Sequence, residues 1–196
     1  MTAADIPPGL RLPDRQGLPS TVAFLRATHP PSSWRSHRDF GELAAFWLDI
    51  HAGLRAQGRA LAKLTTDFRE GGLDTAGFTR QFGPRLNDYL AHLEGHHRIE
   101  DKHYFPRFRQ LDTRMIRGFD LLENDHEIIH ASVVMTVDRA RALVVELNRG
   151  ADMAQRAADA YADASDRLLR LLERHLADEE ELVVPAILEH TERPVL

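Results

Sequence analysis

The sequence predicts an all-α protein, an up-down-up-down four-helix bundle preceded by an irregular, proline-rich N-terminal arm. Three observations predict it. From about residue 38 onward, apolar residues recur at alternating steps of four and three, which is helical periodicity. Short breakers divide that stretch into four long segments, and no strand-like alternation competes with them. Residues 1–36 hold six of the ten prolines, several beside Gly or Ser, so a regular element is not expected there. The chain thus divides into an arm over 1–36 and a bundle over 37–192.

The first helical stretch runs from about 38 to 70 and ends at Gly71-Gly72. The second opens near Asp74-Thr75 and reaches about 110, with a kink expected at Gly83-Pro84. Asp112-Thr113 caps the third, which ends at Asn148-Arg149-Gly150, and the fourth covers about 152 to 190. Pro106 and Pro185 fall inside the second and fourth, so a bend or local break is expected at each. Connections this short place consecutive helices antiparallel.

Composition excludes several classes. The formal charge is -5 and arginines are spread along the chain, so the basic footprint of a nucleic-acid binder is missing. Nothing approaches 18 consecutive apolar residues, so no membrane-spanning helix is expected. The start, MTAADIPPGLRLPDRQG, has neither a basic end nor an apolar run, which argues against a signal peptide and makes the cytoplasm the default location. Cysteine is absent, which removes disulfides, thiolate metal sites and cysteine nucleophiles together. Any metal must therefore be held by nitrogen and oxygen.

Histidine is the outlier: there are eleven, and six of them lie between His92 and His130. The inward stripes show where they fall. The first helix reads Phe40, Ala44, Trp47, His51, Leu54, Gly58, Leu61, and the second Phe82, Leu86, Tyr89, Leu93, His96, Glu100, His103. The third reads Phe119, Leu122, His126, His130, Val133, Val137, and the fourth Leu168, Leu172, His175, Glu179, Leu182. Each helix thus turns at least one histidine inward. A single histidine on an apolar face is more often a satisfied core residue than a ligand. Burying several imidazoles and carboxylates without partners, however, would cost several kcal/mol, a cost that a shared metal ion relieves.

Depth agrees with convergence. At 1.5 Å per residue, His51, His96, His126 and His175 all fall roughly 17 to 22 Å from the same end of an antiparallel bundle. Residues four apart project from one helix face, so His96 with Glu100, His126 with His130, and His175 with Glu179 can each offer two donors to one centre. Imidazole and carboxylate suit iron, manganese or zinc, and seven donors suit two ions better than one. His97 could replace His96 on geometry alone. A repeat favours His96: the frame of Leu93, Glu94, His96, Glu100 and Pro106 returns 79 residues later as Leu172, Glu173, His175, Glu179 and Pro185.

These pieces resemble the hemerythrin-like (HHE cation-binding) family, which carries His on the first helix, His-x-x-x-Glu on the second, His on the third and His-x-x-x-Glu on the fourth. Here those are His51, HHRIE over 96–100, His126, and HLADE over 175–179. The resemblance implies two non-heme iron ions, oxo- or hydroxo-bridged, with Glu100 and Glu179 bridging and His51, His96, His126, His130 and His175 as terminal ligands. Zinc or manganese are the alternative ions. Oxygen carriers of the family place the last bridging acid one residue later, at Glu180 here; Glu179 is preferred because it mirrors Glu100.

The expected function is binding of, or reaction with, dioxygen, peroxide or nitric oxide, in sensing, protection or iron handling. A binding protein is favoured over an enzyme, and no protein partner can be named. Two alternatives stand beside this reading. A ferritin-like carboxylate oxidase would use Glu94-x-x-His97 and Glu123-x-x-His126, although these fall on the wrong pair of helices. A metal-free interaction bundle would leave the histidines dispensable.

Overall fold

A computed structural model describes residues 6–196, and the first five residues of the predicted arm lie outside the described residues. The five α-helices are α1 (Glu42–Arg69), α2 (Thr75–Ile99), α3 (Phe105–Leu111), α4 (Ile116–Glu146) and α5 (Ala151–His190), with no strand among the described residues. Among the described residues, no helix is long and apolar enough to cross a membrane.

The predicted breakers act as local chemistry requires. Gly71 takes φ +76°, in the left-handed region that glycine reaches at least cost, and closes α1 through a hydrogen bond from its N–H to Phe68 O at 3.2 Å. Asp74 Oδ1 accepts the N–H of Gly77 at 2.7 Å in the first turn of α2. Asp112 caps a short 3₁₀ turn, Thr113–Met115, that leads into α4. The start of α1 is capped from far along the chain: Glu192 Oε1 accepts the N–H groups of Leu43 at 2.9 Å and Ala44 at 3.2 Å.

The expectation of four helices needs one correction. The second predicted helix is α2, a π-helical turn over Glu100–Tyr104, and α3. Pro106 explains the turn: its ring would meet the carbonyl four residues back in a regular α-helix, and it has no N–H to give. In the wider turn the Phe105 N–H reaches Glu100 O instead, five residues back. The extra residue rotates the rest of the helix, so Phe105 and Phe108 are buried while His103, predicted to face inward, is exposed. Helices α2 and α5 run through Pro84 and Pro185 without a break.

The chain forms two compact units. One comprises Met1–Ala52, Gly95–Ile128 and Glu173–Leu196. Its apolar core gathers Trp47, Phe105, Phe108, Phe119, Leu122, Leu182 and Ile187 with Leu18, Val22, Ala23 and Leu25 of the arm, so the arm is packed rather than loose. The arm also carries 3₁₀ turns at Pro8–Leu10, Phe24–Ala27 and Pro31–Ser36, where no regular element was expected. The second unit comprises Gly53–Glu94 and Ile129–Leu172. Phe68, Phe78 and Phe82 stack within it at centroid distances of 4.4 and 4.8 Å, and Tyr161 meets Phe82 edge-on at 4.8 Å.

Candidate metal centre

All the residues brought together at the centre lie in the first unit. Helix α1 supplies His51 and Trp47; α2 supplies His96 and His97; the π turn supplies Glu100; α4 supplies His126; and α5 supplies His175 and Glu179. His51, Glu100, His175 and Glu179 are almost completely buried.

Donor atoms fall into two sets of four that share both carboxylates: His51, His96, Glu100 and Glu179, and then Glu100, His126, His175 and Glu179. The sharing is atom by atom. Glu100 Oε1 lies 3.1 Å from His96 Nε2, and its Oε2 lies 3.6 Å from His126 Nε2. Glu179 Oε1 lies 3.5 Å from His51 Nε2, and its Oε2 lies 3.2 Å from His175 Nε2. Donors about 2.1 Å from one ion at 90–120° stand about 3.0–3.6 Å apart, so these separations suit metal coordination.

The outer partners fix which nitrogen faces inward. Nδ1 of His126 lies 2.8 Å from Asp101 Oδ1, Nδ1 of His51 lies 3.0 Å from Glu180 Oε1, and Nδ1 of His175 lies 3.4 Å from Asp125 Oδ2. An ionised carboxylate only accepts, so each Nδ1 donates and each Nε2 is left facing the interior. Nε2 atoms of His126 and His175 face each other at 3.2 Å, close enough to share one proton or one cation. Trp47 Nε1–H donates to Glu179 Oε1 at 2.6 Å.

Burial and mutual charge shift the titration of these groups strongly. Burial, reinforced by the neighbouring Glu179 charge, pushes the Glu100 carboxyl well above its ordinary value. Burial acts on Glu179 in the same direction, but the facing His51 and His175 outweigh it and hold that carboxyl low. For His175, burial is outweighed by Asp125 and Glu179, raising it to about 9, whereas burial among other imidazoles takes His96 down to about 3. Both Glu100 oxygens, Glu179 Oε2, and Nε2 of His51, His96 and His97 are buried without a hydrogen-bond partner. Orphaned acceptors and lone pairs aimed at one place fit a cation.

Of the seven residues singled out by spacing, six converge and His130 does not. His130 is exposed. Ile129, fully buried, holds the centre of the α4 stripe, and His130 is one residue, about 100°, beyond it. The spacing i, i+4 was compatible with the centre, but the inward face of α4 advances by three at this point. His97 stands where that missing donor was expected: its ring stacks on His126 at 4.0 Å, and it forms a third donor group with His126 and His175. Glu180 stays outside as the partner of His51. Glu94 and Glu123, which the ferritin-like alternative needs, are both exposed.

A small pocket of about 20 Å³ opens against the His96 and Glu100 side, lined by Phe46, Trp47, Ile50, His96, Ile99, Glu100 and Tyr104.

No curated protein and no solved structure matches the chain. The family model described as the Hemerythrin HHE cation binding domain matches residues 42–190, from the start of α1 to the end of α5. With that match covering well over half of its length, the chain belongs to the hemerythrin HHE cation-binding family.

Proposed function

We propose that this protein holds two iron ions and uses them to bind or react with dioxygen, peroxide or nitric oxide. The observation that carries the reading is the sharing of Glu100 and Glu179 between two donor sets, one oxygen turned to each. His51 and His96 would hold the first ion; His126, His175 and, in place of His130, His97 would hold the second. When bound, the pair supplies exchangeable electrons and an open coordination position for a small ligand. Manganese or zinc would fit the same donors, and iron is preferred because the paired, carboxylate-bridged arrangement suits redox chemistry.

The chain's own residues do the rest. Asp101, Asp125 and Glu180 hold the imidazoles in the tautomer that presents Nε2. Trp47 fixes one oxygen of Glu179. The apolar walls of the pocket, Phe46, Ile50 and Ile99, would favour a small neutral molecule over charged solutes on the His96 and Glu100 side of the centre.

Metal analysis of natively purified protein, with absorption spectra before and after oxygen or peroxide, tests this. The expected result is about two irons per chain with near-ultraviolet charge-transfer bands that respond to the added ligand. Stoichiometric zinc, or no iron after anaerobic reconstitution, overturns it.

A further inference from the structure

The arm reaches the centre through one side chain. Arg15 lies before the family match at 42–190, and its guanidinium is completely buried. Its Nε–H donates to Asp178 Oδ2 at 2.7 Å, one Nη to Asp125 Oδ1 at 3.3 Å and to Leu10 O at 2.9 Å, and the other Nη to Asp125 Oδ2. Asp125 precedes His126 in the chain and accepts from His175 Nδ1; Asp178 precedes Glu179. Two further contacts seat the same segment: Leu18 N–H donates to Asp178 Oδ1 at 3.2 Å, and Arg174 donates to Gln16 O at 2.9 Å.

We propose that Arg15 is a positioning residue for the metal centre, holding Asp125 so that His175 keeps Nδ1 turned to Asp125 and Nε2 turned to the centre. This rests on the metal-centre reading above. A forked guanidinium fixes both oxygens of Asp125 at once, which a solvated or singly bonded carboxylate would not achieve. Without it, Asp125 is free to rotate from His175, and the imidazole is free to turn its Nε2 away from the centre. His126 and His51 have acids of their own, Asp101 and Glu180, that Arg15 does not touch. The effect therefore concentrates on the ion that uses His175.

Anaerobic titration of the full chain with Co2+, read by visible absorption and by competition with a chelator, tests this. The wild type is expected to take two ions. Arg15→Gln should take one as before and the second about 10–100-fold more weakly, with an altered spectrum. Arg15→Lys should recover part of the loss, and it carries the test if the glutamine variant fails to fold. Arg26→Gln removes a half-exposed arm ion pair with Glu181 and should titrate like the wild type. If Arg15→Gln and Arg15→Lys bind both ions with unchanged affinity and spectrum, the arm is merely structural and the proposal falls. A wild type that takes up no Co2+ overturns the metal-centre reading itself, and this one with it.

Discussion

The two units have interiors of opposite kinds, although α1, α2, α4 and α5 each contribute residues to both. Among the described residues, every buried acid and base belongs to the first unit: Arg15, His29, His51, His96, Glu100, Asp125, His126, His175, Asp178 and Glu179. Among the described residues, the polar residues that the second buries are all hydroxyl-bearing, Thr65, Ser132, Thr136 and Ser165. Thr65 and Thr136 donate back to their own helix, to Leu61 O and Ser132 O. An apolar interior is what folding alone selects. Charged groups aimed at one point raise the cost of folding, which ion pairs such as Arg15 with Asp125 and Asp178 offset in part and a bound cation would offset further.

The largest expected effects break this contrast along its length. Phe82→Ala should cost the second unit about 3–5 kcal/mol through lost burial and a cavity, while the variant still binds two metals per chain. Glu100→Gln should do the reverse: it removes an acceptor shared by both donor sets and abolishes stoichiometric metal binding. Because burial already disfavours the charged Glu100 carboxylate, melting of the metal-free variant should be no lower than that of the metal-free parent. Calorimetry with and without metal, beside metal analysis, reads both. Loss of metal from Phe82→Ala, or a large fall in metal-free stability for Glu100→Gln, would remove the distinction.

A sharper test compares His97 of the first unit with His130 of the second. His97→Ala should weaken metal binding about 10–100-fold, whereas His130→Ala, on an exposed position, should change it by less than about twofold. Competition titration with a chelator measures each. The opposite ranking would restore the set that spacing alone suggested.

That ranking also marks what the sequence could reveal. His51, His96, Glu100, His126, His175 and Glu179 were legible because each sits on an apolar stripe of regular period, and the repeat at 93–106 and 172–185 doubled the signal. His130 and His103 misled for one reason: an i, i+4 or i, i+3 step fixes direction only while the helix stays regular and its inward face keeps the same advance. Pro106 was visible as a perturbation, but whether it would produce a kink or a π turn depends on how the chain repacks around it. Arg15 and Asp125 were not legible, because nothing local links an arginine in a proline-rich arm to an acid 110 residues away. Charge pairs of that range are settled by packing, not by period.

The smallest effects concern single hydrogen bonds, one in each unit. Trp47→Phe keeps an aromatic ring against Tyr104 and Phe108, which meet the indole edge-on at 4.9 and 6.0 Å, and deletes the N–H that donates to Glu179 Oε1. Thr65→Val likewise keeps shape and deletes the hydroxyl that donates to Leu61 O. In stability the two should look alike, each within about 0.5–1.5 kcal/mol of the parent in the metal-free form. They should differ in the metal-bound protein. Glu179 Oε1 is the oxygen turned to His51, so losing its donor lets the carboxylate rotate and should weaken that ion about tenfold and shift its absorption bands. Thr65 sits among apolar residues of the second unit, and its variant should bind metal with unchanged affinity and spectrum. Equal metal affinities for the two variants would mean that Trp47 only fills space.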